Sequence, residues 1–181
     1  MAYETALPPV LAGDNITLRR TEPSMADEAF ALWCESPRRL RPVKSLLTTE
    51  DEVSREAVRH RFSLLDKLWG DMFTYGIIVD SGAYGGHCGV LPPAANGEAE
   101  LFYWLGEKFQ GRHLATSSVA MLCGALAESR ASGQADLYIT WNNWPSRRVA
   151  KACGFTYAGT LRSPFSTTAV QYSKALGAFE R

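Results

Sequence analysis

The run Tyr103-Trp104-Leu105-Gly106, followed by Gln110-Gly111-Arg112-His113-Leu114-Ala115-Thr116, decides how this chain folds. Ala99 to Leu105 reads as a strand, and behind the loop Ala115, Val119, Leu122 and Leu126 recur at helical spacing until Ser132-Gly133 offers a stop. A strand therefore feeds a loop into a helix start. The first N–H groups of a helix have no partner within it and lie at the positive end of its dipole, so they can hold a phosphate. Every strand-loop-helix has such a start, and this segment alone does not separate a phosphate loop from a linker.

Working upstream, Ile16 to Arg20 alternates as a strand, and Pro23-Ser24 with Asp27 opens a helix whose apolar face runs Ala26, Phe30, Trp33. Thr49 with Glu52 signals a second helix, with Val53, Ala57, Leu64 and Leu68 on one stripe and Gly70 at its end. Phe73 to Val79 and Tyr84 to Leu91 are strand-like runs joined by Ser81-Gly82, and the turn from Pro92-Pro93 to Gly97 leads into Ala99. Downstream, Leu137 to Trp141 is a buried strand. Pro145 suits the start of a short helix ending at Gly154, and Phe155 to Thr160 and Ala169 to Ser173 close the chain as strands. The predicted order is β-α-α-β-β-β-α-β-α-β-β. Residues 1–14 carry Pro8, Pro9 and Gly13 without periodicity and read as a loose or surface-lying arm, leaving 15–181 as one domain.

Composition narrows the class. With 181 residues, 46% hydrophobic and 21% charged, the chain can bury a core without staples. Basic and acidic residues balance at 19 each, so no overall field favours nucleic acid or a membrane surface. Cys34, Cys88, Cys123 and Cys153 are scattered and pair in no metal-ligand spacing with His60, His87 or His113; they read as small hydrophobes in a reducing compartment, and no metal is expected. No leader pattern or membrane-length apolar run is present, so the expected location is cytoplasmic. The glycines from Gly82 to Gly89 fall in a hairpin and are no dinucleotide fingerprint, and there is no Gly-x-Ser-x-Gly elbow.

Joined to Asn143-x-x-Ser146, with Gly154-Phe155 after the short helix, the phosphate-loop segment and the element order resemble the GNAT superfamily, in its branch of ribosomal-protein and related amine N-acetyltransferases. The resemblance runs from Ile16 onward. It implies an α/β fold of the mixed α+β kind: a mostly antiparallel sheet of six to seven strands, helices on both faces, and a V-shaped splay between the fourth and fifth strands. It implies acetyl-CoA as acyl donor, with the pantetheine arm beside backbone near Trp104 and Leu105. The pyrophosphate would rest on the loop and helix start, Gln110, Gly111, Arg112, His113, Leu114, Ala115 and Thr116, with Asn143 and Ser146 on the other side of the cofactor.

Two positions depart from the family pattern. The loop's central glycine is His113 here; histidine is enriched among residues that tolerate positive φ, and a protonated imidazole would add charge for a phosphate. The tyrosine acid that many members place before the Gly-Phe pair is Ala150 here, which leaves Ser146 as the hydroxyl nearest the expected thiolate, or as a cofactor contact. A lysine-like amine is mostly protonated at neutral pH and must lose a proton before attack. Glu100, entering the strand that leads to the notch, is the catalytic candidate, with Glu98 on the same face in reserve. Trp141 and Trp144 flank the expected notch and line an acceptor pocket or pack in the core.

The expected reaction is direct attack of an amine on acetyl-CoA. Two alternatives stand beside it. His113 and the basic cluster Arg38, Arg39, Arg41 and Lys44 suit an acyl donor carried on RNA, such as aminoacyl-tRNA, although a solvated loop is the simpler explanation of the cluster; the missing tyrosine suits a non-catalytic acyl-CoA binder. The expected partners are a coenzyme A thioester and an amine, small molecule or protein N-terminus, with a homodimer compatible with the family and no membrane.

Overall fold

The computed structural model describes residues 3, 7–35, 52–94, 97–161 and 168–177. The Arg38, Arg39, Arg41 and Lys44 cluster and Thr49 lie outside them. The strands are β1 (Val10–Ala12), β2 (Ile16–Arg20), β3 (Phe73–Val79), β4 (Tyr84–Val90), β5 (Ala99–Leu105), β6 (Gln134–Thr140), β7 (Thr156–Leu161) and β8 (Ala169–Ala175). Among the described residues four α-helices join them: α1 (Ala26–Glu35), α2 (Arg55–Lys67), α3 (Leu114–Ser129) and α4 (Trp144–Ala152). One sheet runs β1-β2-β3-β4-β5-β6-β8-β7, parallel between β5 and β6 and antiparallel at every other pairing.

The eight strands among the described residues exceed the expected six to seven because Val10–Ala12, within the expected arm, form a strand. β1 pairs with β2 from Val10↔Arg19 to Ala12↔Thr17. Leu7 is buried, and Tyr3 packs its ring 5.2 Å from Phe73 and donates its hydroxyl to the Leu91 carbonyl at 2.8 Å. Pro8 and Pro9 precede β1, where a missing N–H breaks no rung of the ladder with β2.

The helices follow their caps. Ser54, not Thr49, opens α2, its Oγ accepting the Ala57 N–H at 3.0 Å, and the buried stripe is Ala57, Val58, Phe62 and Leu65 rather than Val53, Ala57, Leu64 and Leu68. In α1 the fully inward positions are Ala26, Ala29 and Leu32, with Phe30 and Trp33 at the flank. In α3 the expected face is buried, but the helix stops at Arg130, in left-handed conformation at φ 55°, ahead of Gly133.

Alternate residues of β4 show that helices cover both faces of the sheet. His87 stands 5.2 Å from the Phe62 ring of α2, while Cys88 meets Ser118 of α3. No helix among the described residues is long and apolar enough to cross a membrane.

Candidate active site

The site arises where the sheet comes apart. β5 and β6 share two rungs, Ala99↔Ala135 and Glu100↔Asp136, and then diverge. Leu101 to Leu105 stay paired to β4 on one side, Val90↔Leu101 through Gly86↔Leu105, and on the other side present an open strand edge. Gly86 makes this possible, since a Cβ there would collide with the Trp104 carbonyl oxygen. Beyond the splay lies a cavity of about 750 Å³, bounded by Tyr103, Trp104 and Leu105 of β5, the loop and start of α3, and Asn143, Pro145, Ser146, Arg148, Val149 and Ala152 of α4.

The loop is shaped by two left-handed residues, Gly111 at φ 73° and His113 at φ 59°. His113 is the residue before α3 and makes no side-chain cap, so the imidazole leaves the helix start open. Ser117 donates the first helical N–H, to His113 O at 3.0 Å, so the N–H groups of Leu114, Ala115 and Thr116 precede the helical ladder. Gln110 secures the loop to the strand by donating Nε2 to the Leu105 carbonyl at 3.2 Å. Across the cavity, Asn143 caps α4, its Oδ1 accepting the Ser146 N–H at 3.2 Å.

Of the residues expected to hold the cofactor, Trp104, Leu105, Gln110, Gly111, His113, Leu114, Ala115, Thr116, Asn143 and Ser146 border this one cavity. Arg112 is exposed and outside its wall. Glu100 sits at the closed end of the V, half-buried. Its carboxyl is pushed above the ordinary glutamate range, first by burial and then by the charge of Asp136. Trp141 and Trp144 are not core residues, being 53% and 55% exposed; the Arg147 guanidinium lies 4.3 Å over the Trp144 ring and donates Nη1 to the Trp141 carbonyl at 3.1 Å.

Two residues escaped the sequence reading. Asp136 is 2% exposed and accepts from Gln134 Nε2 at 3.1 Å and Gln171 Nε2 at 3.2 Å, facing Glu100 across the parallel rung. Tyr103 brings a phenol into the cavity wall beside Ser146, its pKa pushed up to about 12 chiefly by burial. A strand aromatic reads as core, and only the three-dimensional arrangement separates this one.

Comparison with known proteins agrees with this arrangement. The family model described as an acetyltransferase (GNAT) domain matches residues 15–156. No curated protein matches the chain in sequence. Among solved structures, the RimL ribosomal L7/L12 alpha-N-protein acetyltransferase in complex with coenzyme A superposes with a TM-score of 0.77 at 18% identity, over 92% of this chain and 97% of that one. The ribosomal-protein-S5-alanine acetyltransferase from Vibrio fischeri gives a TM-score of 0.81 at 14% identity, over 95% and 99%. The microcin C7 self immunity acetyltransferase MccE, in complex with acetyl-CoA and AMP, gives 0.72 at 21% identity, over 90% and 93%. At these identities the likeness is one of fold; with a family match spanning most of its length, the chain belongs to the GNAT acetyltransferases and is an acyltransferase.

Proposed function

We propose that this protein is an N-acetyltransferase that takes its acetyl group from acetyl-CoA and delivers it to an amine by direct attack, with no acyl-enzyme. The cavity at the splay carries this reading. Its one wall is an open strand edge suited to the amides of a pantetheine arm, and that edge leads to the N–H groups at the start of α3, suited to a pyrophosphate. Bound there, acetyl-CoA supplies an activated acyl group whose thioester carbonyl is open to a nitrogen nucleophile.

The chain's own residues then have distinct tasks. Glu100, at the closed end, accepts the proton that an ammonium must lose; its raised pKa brings it nearer to the working pH, where a general base is most effective. Backbone N–H groups near Leu105 meet the developing oxyanion as preorganised donors. Ser146 presents its hydroxyl from the opposite wall, on a helix start fixed by the Asn143 cap.

Calorimetric titration with acetyl-CoA tests the donor. The native protein is expected to bind in the micromolar range, about −8 kcal/mol. His113→Gly is a clean companion, because relief of roughly 1 kcal/mol of left-handed strain is offset by roughly the same unfolded-state entropy of glycine, so the fold stays intact while the imidazole is removed. Affinity within a few-fold of native is expected. A native protein that does not bind, with binding gained in His113→Gly, means that the imidazole blocks the anion site and that acetyl-CoA is not the donor.

A further inference from the structure

The scheme above leaves one group in the cavity wall unused. The Tyr103 hydroxyl is buried, and the Ser146 hydroxyl beside it, close enough to ease its ionisation, does not meet it at full hydrogen-bond geometry. A buried polar group without a partner is costly and rare, so a phenol held in this state calls for a partner that arrives with a ligand. Three further observations say which part of the ligand. Tyr103 belongs to the β5 segment past the last rung with β6, on the wall of the notch itself. Its hydroxyl lies beside Ser146, so two side-chain hydroxyls from opposite walls converge. Ala150, one turn along α4 from Ser146, is fully buried and has no polar side chain, so in the turns behind Ser146 the helix offers no phenol of its own.

We propose that Tyr103 donates its hydroxyl hydrogen to the sulfur of the coenzyme A thioester and stabilises the departing thiolate, with Ser146 facing it from α4. This rests on the acetyl-CoA reading above. The amine, its first proton already on Glu100, bonds through nitrogen to the acyl carbon; the oxyanion so formed collapses as the carbon–sulfur bond breaks, the electron pair of that bond stays on sulfur, and the second nitrogen proton passes to water. Tyr103 keeps its proton throughout. With a pKa of about 12 it is a weaker acid than a thiol, ordinarily about 8.5, so it serves as a hydrogen-bond donor at every working pH and water protonates the released thiolate.

The test compares coenzyme A with desulfo-coenzyme A by calorimetry at about pH 9, where much of the thiol is ionised. Native protein is expected to prefer coenzyme A about tenfold, the worth of a hydrogen bond to a charged acceptor. Tyr103→Phe is expected to bind desulfo-coenzyme A as the native protein does and to lose the preference, which also shows that the variant is folded. Ser146→Ala is expected to retain most of it. A preference that survives in Tyr103→Phe, or that vanishes in Ser146→Ala alone, overturns the assignment. If the native protein binds neither ligand, the coenzyme A reading falls first and this inference with it; if it binds both equally, only the sulfur contact is refuted.

Discussion

At the scale of single residues, the proposal makes the two carboxylates of the parallel rung set the pH behaviour. As the proposed base Glu100 must be ionised, so activity should rise with pH through its pKa, which burial and Asp136 hold above the ordinary glutamate range. Asp136 is the acidic neighbour across the sheet, Glu98 stands on the same face of its own chain segment, and Tyr138 of β6 lies within the field of all three. Replacing Asp136 with Asn removes a like charge, so the acid limb of kcat/KM should move to lower pH; Glu100→Gln should abolish that limb and cut the rate by about a hundredfold. Profiles that coincide with native in both variants would exclude Glu100 as the base. Asp136 was illegible in the sequence for a physical reason. Its burial depends on an amide from Gln171 on β8 as much as on Gln134 beside it, and spacing along one strand cannot report a partner from another.

At the scale of elements, β4 is pressed against β5 where the cavity opens. Gly86→Ala should force β4 and β5 apart at Trp104, and we expect a loss of stability of about 1–3 kcal/mol together with weaker coenzyme A binding, measured by denaturant melts and calorimetry on the same sample. The element types were legible where periodicity was strong, as in α3, whose buried face is the expected Ala115, Val119, Leu122 and Leu126. Boundaries were less so, because local caps outweigh pattern: Ser54 starts α2, and Arg130 stops α3 with no glycine at all. β1 was hidden by its three-residue length and by the prolines just before it, which do not prevent an edge strand from following. The loop into α3 and Asn143-x-x-Ser146 were legible as motifs, whereas the cap that Asn143 makes on α4 and the walls of the cavity needed the fold.

At the scale of the whole molecule, acid stability should reflect a histidine at the centre of the core. His87 is 1% exposed, with Nε2 3.2 Å from Thr21 Oγ1 and Nδ1 2.9 Å from the Tyr84 hydroxyl. Burial, helped by the charge of Arg61, pulls its pKa down to about 3 from the usual 6.5. The folded state therefore refuses a proton that the unfolded chain accepts, and the stability this contributes is full above 6.5 and is lost as pH falls toward 3. Thermal melts across that window should show Tm falling with acid in the native protein and falling less in His87→Gln, although the variant starts lower at neutral pH. Equal slopes would assign the acid sensitivity to the carboxylates instead.

The two rungs that join β5 to β6 have a mechanical meaning as well. Neighbouring antiparallel pairs are stitched along most of their length, as β6 and β8 are from Gln134↔Ala175 to Thr140↔Ala169, whereas this joint hangs on Ala99↔Ala135 and Glu100↔Asp136. Tension applied across the sheet would concentrate at that seam, and the first stitches to part would be those beside the carboxylates. The fulcrum at which load would concentrate is also the apex of the cavity in which we propose that the substrates meet.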